Sequence, residues 1–179
     1  MAGDLIGAET ALEQLLADEF RLLGPDHPTI LMTRNVLEQV RGRDDPTRTA
    51  ATLVQLLSDQ VRILGPDHPD TLRTRYNAAC WREKAGDPAG AATALEQLLT
   101  DQLRVLGPDH TQTLTTRNVK AQLRGRAGEP VSAANALEQL LADQFRVFGP
   151  DHPDTLATSR HLAYWREQAG DPSSAVDPP

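Results

Sequence analysis

The chain has 179 residues and a net charge of −7, and 39% of its residues are hydrophobic but only 4% aromatic. This apolar content excludes a disordered chain, and the negative charge argues against nucleic-acid binding, since phosphates require a concentrated excess of Lys and Arg. No apolar run approaches the ~20 residues that span a bilayer, and the single Cys80 excludes an intramolecular disulfide and a cysteine-rich zinc site. These features predict a cytoplasmic protein that does not bind membranes.

A Gly-Pro-Asp-His string divides the chain into four repeats. Its copies begin at Gly24, Gly65, Gly107 and Gly149. A second marker, Ala-Gly-Asp or Ala-Gly-Glu, recurs at a constant position within the repeat. The first interval between the Gly-Pro-Asp-His strings is one residue shorter than the other two. The missing residue lies in a turn, so the flanking helices keep their positions in the repeat. We expect one repeat domain over residues 1–172, followed by a tail over 173–179. The predicted repeat units are residues 3–44, 45–85, 86–127 and 128–169.

Each repeat is predicted to contain two helices, because apolar residues recur at three- and four-residue steps and only the Gly/Pro strings break the pattern. We call the helix before each Gly-Pro-Asp-His string the B helix and the one after it the A helix. The B helices are predicted near residues 7–23, 46–64, 88–106 and 130–148. The A helices are predicted near residues 29–42, 70–85, 112–127 and 154–169. The result is an all-α fold of eight antiparallel helices.

The 42-residue period and the joining segments LGPDHPDTL and AGDPAGA resemble tetratricopeptide repeats of the kinesin-light-chain type. They are similar to the long arrays of actinobacterial proteins, which are often attached to NB-ARC or STAND ATPases. The resemblance implies a right-handed superhelical α-solenoid whose concave groove, lined by A helices, binds a peptide or partner protein. The chain departs from the family where a tyrosine is common, at Arg41, Arg82, Arg124 and Arg166.

The A helices vary mostly on one face, whereas the B helices differ by conservative exchanges. Positions 8, 11 and 15 after the glycine of each Gly-Pro-Asp-His string share this face. Drift of an exposed face would give the same pattern, but repeat proteins generally bind partners on such surfaces. The predicted groove residues are Met32, Asn35, Gln39, Arg73, Tyr76, Asn77, Cys80, Thr115, Asn118, Gln122, Arg160, His161 and Tyr164. Constant leucines occupy the opposite side, at Leu31, Leu72, Leu114 and Leu156.

The residue types on the varied face indicate the chemistry of a ligand. The amides of Asn35, Asn77 and Asn118 can pair with the backbone of an extended peptide. Arg73 and Arg160 can bind carboxylates, which favours an acidic or C-terminal peptide. The alternative is that these arginines pair with neighbouring surface glutamates, which would contribute little.

Catalytic and metal sites are not predicted. The four histidines of the Gly-Pro-Asp-His strings lie one repeat apart, about 10 Å, which is too far to share one ion, and a role in the turn is expected. His161 and Cys80 are two repeats apart and form no nucleophile pair. No phosphate-binding loop is present, so we expect neither an enzyme nor a cofactor. Trp81 and Trp165 are expected in the core.

Self-association is the alternative function. The chain opens on a B helix and closes on an A helix, so we expect both helices to expose apolar faces that dock head to tail between copies. The predicted self-association residues are Leu12, Leu15, Leu16, Phe20, Leu162 and Trp165. Alternatively, Leu5, Ile6 and the C-terminal tail shield these faces.

Overall fold

The computed structural model describes residues 2–170, with side chains from Gly7 onward. Within this part of the chain there are eight α-helices and no strands, as predicted. The helices are α1 (Ala2–Leu23), α2 (Pro28–Arg41), α3 (Pro46–Leu64), α4 (Pro69–Lys84), α5 (Pro88–Val105), α6 (Thr111–Arg126), α7 (Pro130–Phe148) and α8 (Pro153–Gln168). Only α1 differs from its predicted start by more than one residue. The predicted tail over 173–179 lies outside the described residues.

Proline and glycine set the helix ends. Proline is the first residue of α3 and α7, where its missing N–H costs nothing because that group has no partner within the helix. Gly65 and Gly149 end the same helices with φ angles of 91° and 85°, a region that favours glycine. These local signals explain why the bounds could be predicted closely.

The chain forms two compact units, Met1–Leu98 and Leu99–Pro179, and the boundary falls within α5. The core of unit 1 contains Leu31, Leu53, Leu56 and Trp81, contributed by α2, α3 and α4. The core of unit 2 joins α6, α7 and α8. Its larger side chains are Leu114, Leu137, Leu140, Leu162 and Trp165. That residues 1–172 form a single domain stays a prediction.

The expected exposure of Leu162 and Trp165 is wrong. Their side chains are only 5% and 7% exposed, because α8 turns them towards α6 and α7 in the core of unit 2. The exposed leucine of α8 is instead Leu156, one of the constant leucines that the sequence places on the core side.

The apolar stripe of α1 is partly exposed, as expected from the sequence. Leu15 and Phe20 are exposed, whereas Leu12 and Leu16 are half-buried. The side chains of Leu5 and Ile6, which the sequence offers as an alternative cover for this stripe, lie outside the described part of the chain.

Candidate functional site

The histidine of each Gly-Pro-Asp-His string caps the following A helix. In each case Nδ1 accepts a hydrogen bond from the backbone N–H two residues later, over 3.2–3.3 Å. The capping histidines are His27, His68, His110 and His152. Such a cap satisfies one of the N–H groups that a helix start leaves without a partner. The predicted role of these histidines in the turn is confirmed.

Asn35 of α2 lies at the centre of a hydrogen-bond network in unit 1. Its side chain is 1% exposed, and its Nδ2 donates to Oγ1 of Thr74 in α4 over 2.6 Å. Its Oδ1 accepts from Nε2 of Gln39 (2.7 Å) and from Nδ2 of Asn77 (2.9 Å). The network therefore joins two successive A helices through side chains.

The same network recurs in unit 2 around Asn118 of α6. Its Nδ2 donates to Oγ1 of Thr158 in α8 over 2.7 Å, and its Oδ1 accepts from Nε2 of Gln122 over 2.6 Å. Nδ1 of His161 lies 3.2 Å from this oxygen, in the position that Asn77 has in unit 1. Because the oxygen is an acceptor, we assign the proton to Nδ1 of His161.

The structure corrects the predicted role of Asn35 and Asn118. Both side chains are buried, and their amides pair with neighbouring A helices instead of facing a ligand. A buried amide without such partners would cost about 1–3 kcal/mol, so these contacts hold adjacent repeats together. Their partners Thr74 and Thr158 occupy the same position in the repeat, and every A helix has a threonine there. This recurring threonine is the sequence signal for the packing.

The remaining predicted groove residues lie on the surface of the A helices in each unit. In unit 1, Met32 is exposed and Arg73, Tyr76 and Cys80 are half-buried. Val36 also lies on this face, although the predicted set does not contain it. In unit 2, Arg160 and Tyr164 are exposed and Thr115 is half-buried. We call these surfaces the A-helix face of each unit.

Three of the predicted groove residues have titratable groups in different environments: Arg73, His161 and Tyr76. Arg73 forms an ion pair with Asp70, one turn earlier in α4, over 2.8 Å, so its partner is an aspartate of its own helix and not one of the neighbouring glutamates. Burial lowers the pKa of His161, and the nearby Arg126 and Arg160 lower it further. Burial and the adjacent Cys80 raise the pKa of Tyr76, which keeps its phenol protonated.

No group of three or more His, Cys, Asp or Glu side chains in the described residues could hold a metal ion. Among the same residues, no helix is both long enough and apolar enough to pass through a bilayer.

Residues 71–112 match the family described as tetratricopeptide repeat. This segment corresponds to one period, from the first turn of α4 to the first turn of α6. The chain is also similar to two crystal structures of nearly identical TPR-like repeats assigned to a kinesin light chain of Podosopora anserina, at 25% identity. Both alignments cover 97% of this chain and 82% and 83% of those chains, with TM-scores of 0.75 and 0.74.

The fold is that of TPR-like helical repeats. BtubC (BKLC) from P. vanneervenii shares it, with a TM-score of 0.80 over 97% of this chain and 70% of that chain, at 17% identity. No curated protein sequence matches the chain significantly. Tetratricopeptide repeats generally mediate protein–protein interaction, and repeats with this fold are typically non-catalytic.

Proposed function

We propose that this chain is a non-catalytic interaction module that binds a peptide or partner protein on its A-helix faces. The observation that carries the proposal is the exposure of Met32 and Val36, which lie four residues apart on one side of α2. Large apolar side chains that lie next to one another on an exposed surface commonly mark a protein interaction site. The family match over residues 71–112 supports the same class of function.

The buried asparagine networks suit the A-helix faces to this role. By joining Asn35 to Thr74, the network of unit 1 fixes α2 against α4 directly beneath the exposed side chains. A surface held in place before binding loses less conformational entropy when a partner docks. The exposed Arg160 of unit 2 can pair with a carboxylate, which favours an acidic or C-terminal peptide as the partner.

Val36→Asp tests this proposal. The probe is an array of acidic peptides with either free or amidated carboxyl termini, and each peptide that binds is then titrated by fluorescence anisotropy. We expect Val36→Asp to weaken binding at least tenfold, because it places a charge in the contact surface. Val131→Asp is the matched control, since Val131 is 58% exposed on α7 and Val36 46% exposed on α2. Equal affinity for both variants contradicts the proposal.

A second candidate function, head-to-tail self-association, is favoured by two uncovered leucines. Leu15 of α1 is 48% exposed, whereas the equivalent residues of the other B helices are fully buried: Leu56, Leu98 and Leu140. Leu156 of α8 is 43% exposed, whereas the equivalent residues of the other A helices are at most 1% exposed: Leu31, Leu72 and Leu114. Leu31 packs with Leu56 in unit 1, and Leu114 packs with Leu140 in unit 2. Contact between Leu156 and Leu15 of a second copy would reproduce this pairing.

Light scattering over a range of protein concentrations tests the second candidate. We expect the mass to rise with concentration and the rise to disappear in Leu15→Glu and in Leu156→Glu. Val131→Glu should behave as the unmodified chain does. A constant monomer mass at high concentration contradicts self-association but leaves peptide binding on the A-helix faces unaffected. A cytoplasmic location and an actinobacterial source stay predictions from the sequence.

A further inference from the structure

Every A helix has an arginine near its end, and in the first and fourth repeats this arginine pairs with glutamates. In the first repeat, Arg41 binds three glutamates: its Nε donates to Glu9 over 2.8 Å, its Nη2 to Glu13, and its Nη1 to Glu38 over 3.4 Å. In the fourth repeat, Nη2 of Arg166 donates to Glu138 over 2.8 Å. Glu13 and Glu138 occupy equivalent positions in their B helices, so the same pairing recurs at opposite ends of the chain.

The second repeat keeps the arginine but has none of the three glutamates. Arg82 is equivalent to Arg41, and the three glutamate positions are occupied by Ala50, Val54 and Ala79. The third repeat keeps a glutamate at the middle position, as the fourth does. The second repeat is therefore the one copy in which apolar residues replace every carboxylate around this arginine.

These three apolar residues line an open cavity of about 380 Å³ between α3, α4 and α5, and Arg82 is also part of its wall. Cavities of this size are in the range that holds small ligands or side chains. The equivalent cavity of unit 2 has only about 150 Å³, and its lining contains Lys120 where the larger cavity has Ala78. Among the positions that line both cavities, this one differs in size, since the second repeat has the small Ala78 where the third has Lys120.

The position of Arg82 leaves part of its guanidinium for a ligand. Its Nε donates to Asp87 over 2.5 Å, whereas Arg41 uses all three nitrogens for glutamates. Within the described residues, neither Nη1 nor Nη2 of Arg82 donates a hydrogen bond to a carboxylate. A Cβ on Gly90 would collide with this guanidinium, so the glycine allows Arg82 to lie against the first turn of α5.

We infer that this cavity binds glutamate side chains of a partner peptide, with the carboxylate paired to Arg82 and the aliphatic stem against Ala50, Val54 and Ala79. A peptide with two glutamates four residues apart fits best, because Glu9 and Glu13 have this spacing where they pair with Arg41. The inferred partner is an acidic peptide, as in the proposed function, but its binding site is a different one. The cavity lies on the side of α4 opposite to Arg73 and the rest of the A-helix face.

An NMR titration at low salt tests this inference. The probe is a blocked seven-residue alanine peptide with glutamates at its second and sixth positions, compared with its glutamine counterpart. We expect the glutamate peptide to shift the Nε–H signal of Arg82 and the amide signals of Ala78 and Ala79 until saturation. We expect the glutamine peptide to have no effect. Equal shifts with both peptides overturn the inference, as does the absence of any shift.

The double variant Val54→Glu/Ala79→Glu fills the cavity with the chain's own carboxylates. We expect it to fold, since the first repeat accommodates glutamates at both positions, and to bind the peptide at least tenfold more weakly. Arg82→Gln should also abolish the titration, whereas Val131→Glu should leave it unchanged. Undiminished binding by the double variant overturns the inference.

Val36→Asp separates this site from the A-helix face. This variant should not change the titration of the cavity with the glutamate peptide. It should weaken the binding of partners to the A-helix face. Failure of the cavity titration therefore does not affect the proposed function, and failure at the A-helix face does not affect the cavity.

Discussion

The indole of Trp81 lies directly over Gly42, so that a Cβ on this glycine would come within 2.6 Å of the ring. The same contact recurs in unit 2, where Trp165 lies over Gly125 and a Cβ would come within 2.5 Å. The φ angle of Gly42 is −62°, which any residue can adopt. Close approach of the tryptophan, not backbone conformation, therefore requires glycine at these positions. Each contact joins the A helices of two consecutive repeats.

Gly42→Ala should destabilise the chain by about 1–3 kcal/mol, since the added methyl group overpacks the site below Trp81. Urea unfolding followed by circular dichroism measures the change. Gly7→Ala in α1 is the control, because a Cβ there meets nothing within 4 Å, and it should stabilise the chain by about 0.5–1 kcal/mol. Adding Trp81→Leu to Gly42→Ala should cost less than the sum of the single changes. A purely additive double variant would show that the two residues do not interact.

Asn35→Ala should lower the free energy of unfolding by about 1–3 kcal/mol, because it removes hydrogen bonds to Thr74, Gln39 and Asn77. Denaturant titration measures the loss. Asn135→Ala is the matched control, since Asn135 is exposed on α7, and its effect should stay within about 0.5 kcal/mol. If both alanine variants are equally stable, the network does not hold the repeats together.

His161 should make stability depend on pH. Its pKa is lowered in the folded chain by burial and then by Arg126 and Arg160, so the unfolded chain takes up a proton at higher pH than the folded chain. This contribution is fully present above about pH 6.5 and is lost as the pH falls through the lowered pKa. His161→Asn places at this position the residue that unit 1 has at Asn77. The loss in urea midpoint between pH 7.5 and pH 5 should be smaller in this variant, and an equal loss would exclude His161 as the cause.

The capping role of the repeated histidines predicts a difference between two substitutions. His110→Ala should destabilise the chain by about 1 kcal/mol, because the N–H of Gln112 loses its acceptor. His110→Asn should retain most of the stability, since asparagine is a good N-cap residue. Thermal unfolding compares the two variants. Equal melting temperatures would show that the cap contributes nothing.

Binding of an acidic peptide to the A-helix face of unit 2 should weaken between low and physiological salt, because exposed charges are screened over about 10 Å. Arg160→Glu should reduce both the affinity and its dependence on salt. Calorimetric titrations at two salt concentrations measure both effects. Salt-independent affinity would instead assign binding to Tyr164 and the other apolar side chains of these faces.

The sequence by itself determined the helices of this protein and the turns between them. Pro46 and Gly65, for example, fix the ends of α3 through backbone geometry that depends on a few neighbouring residues. The histidine caps are similarly local, since each joins residues two positions apart. Such signals repeat every 41 or 42 residues, so the all-α repeat fold could be predicted.

The tertiary structure alone decided which side chains of a varied face are buried. Asn35 and Met32 lie one turn apart on α2, yet Asn35 is bonded to Thr74 and Met32 is exposed. The cavity beside Arg82 likewise depends on how α3, α4 and α5 pack around small residues. The burial of Asn35 and the cavity could not be predicted from periodicity, because both result from contacts between helices about 40 residues apart. A helical pattern specifies which residues share a face, but it does not specify which neighbouring helix covers that face.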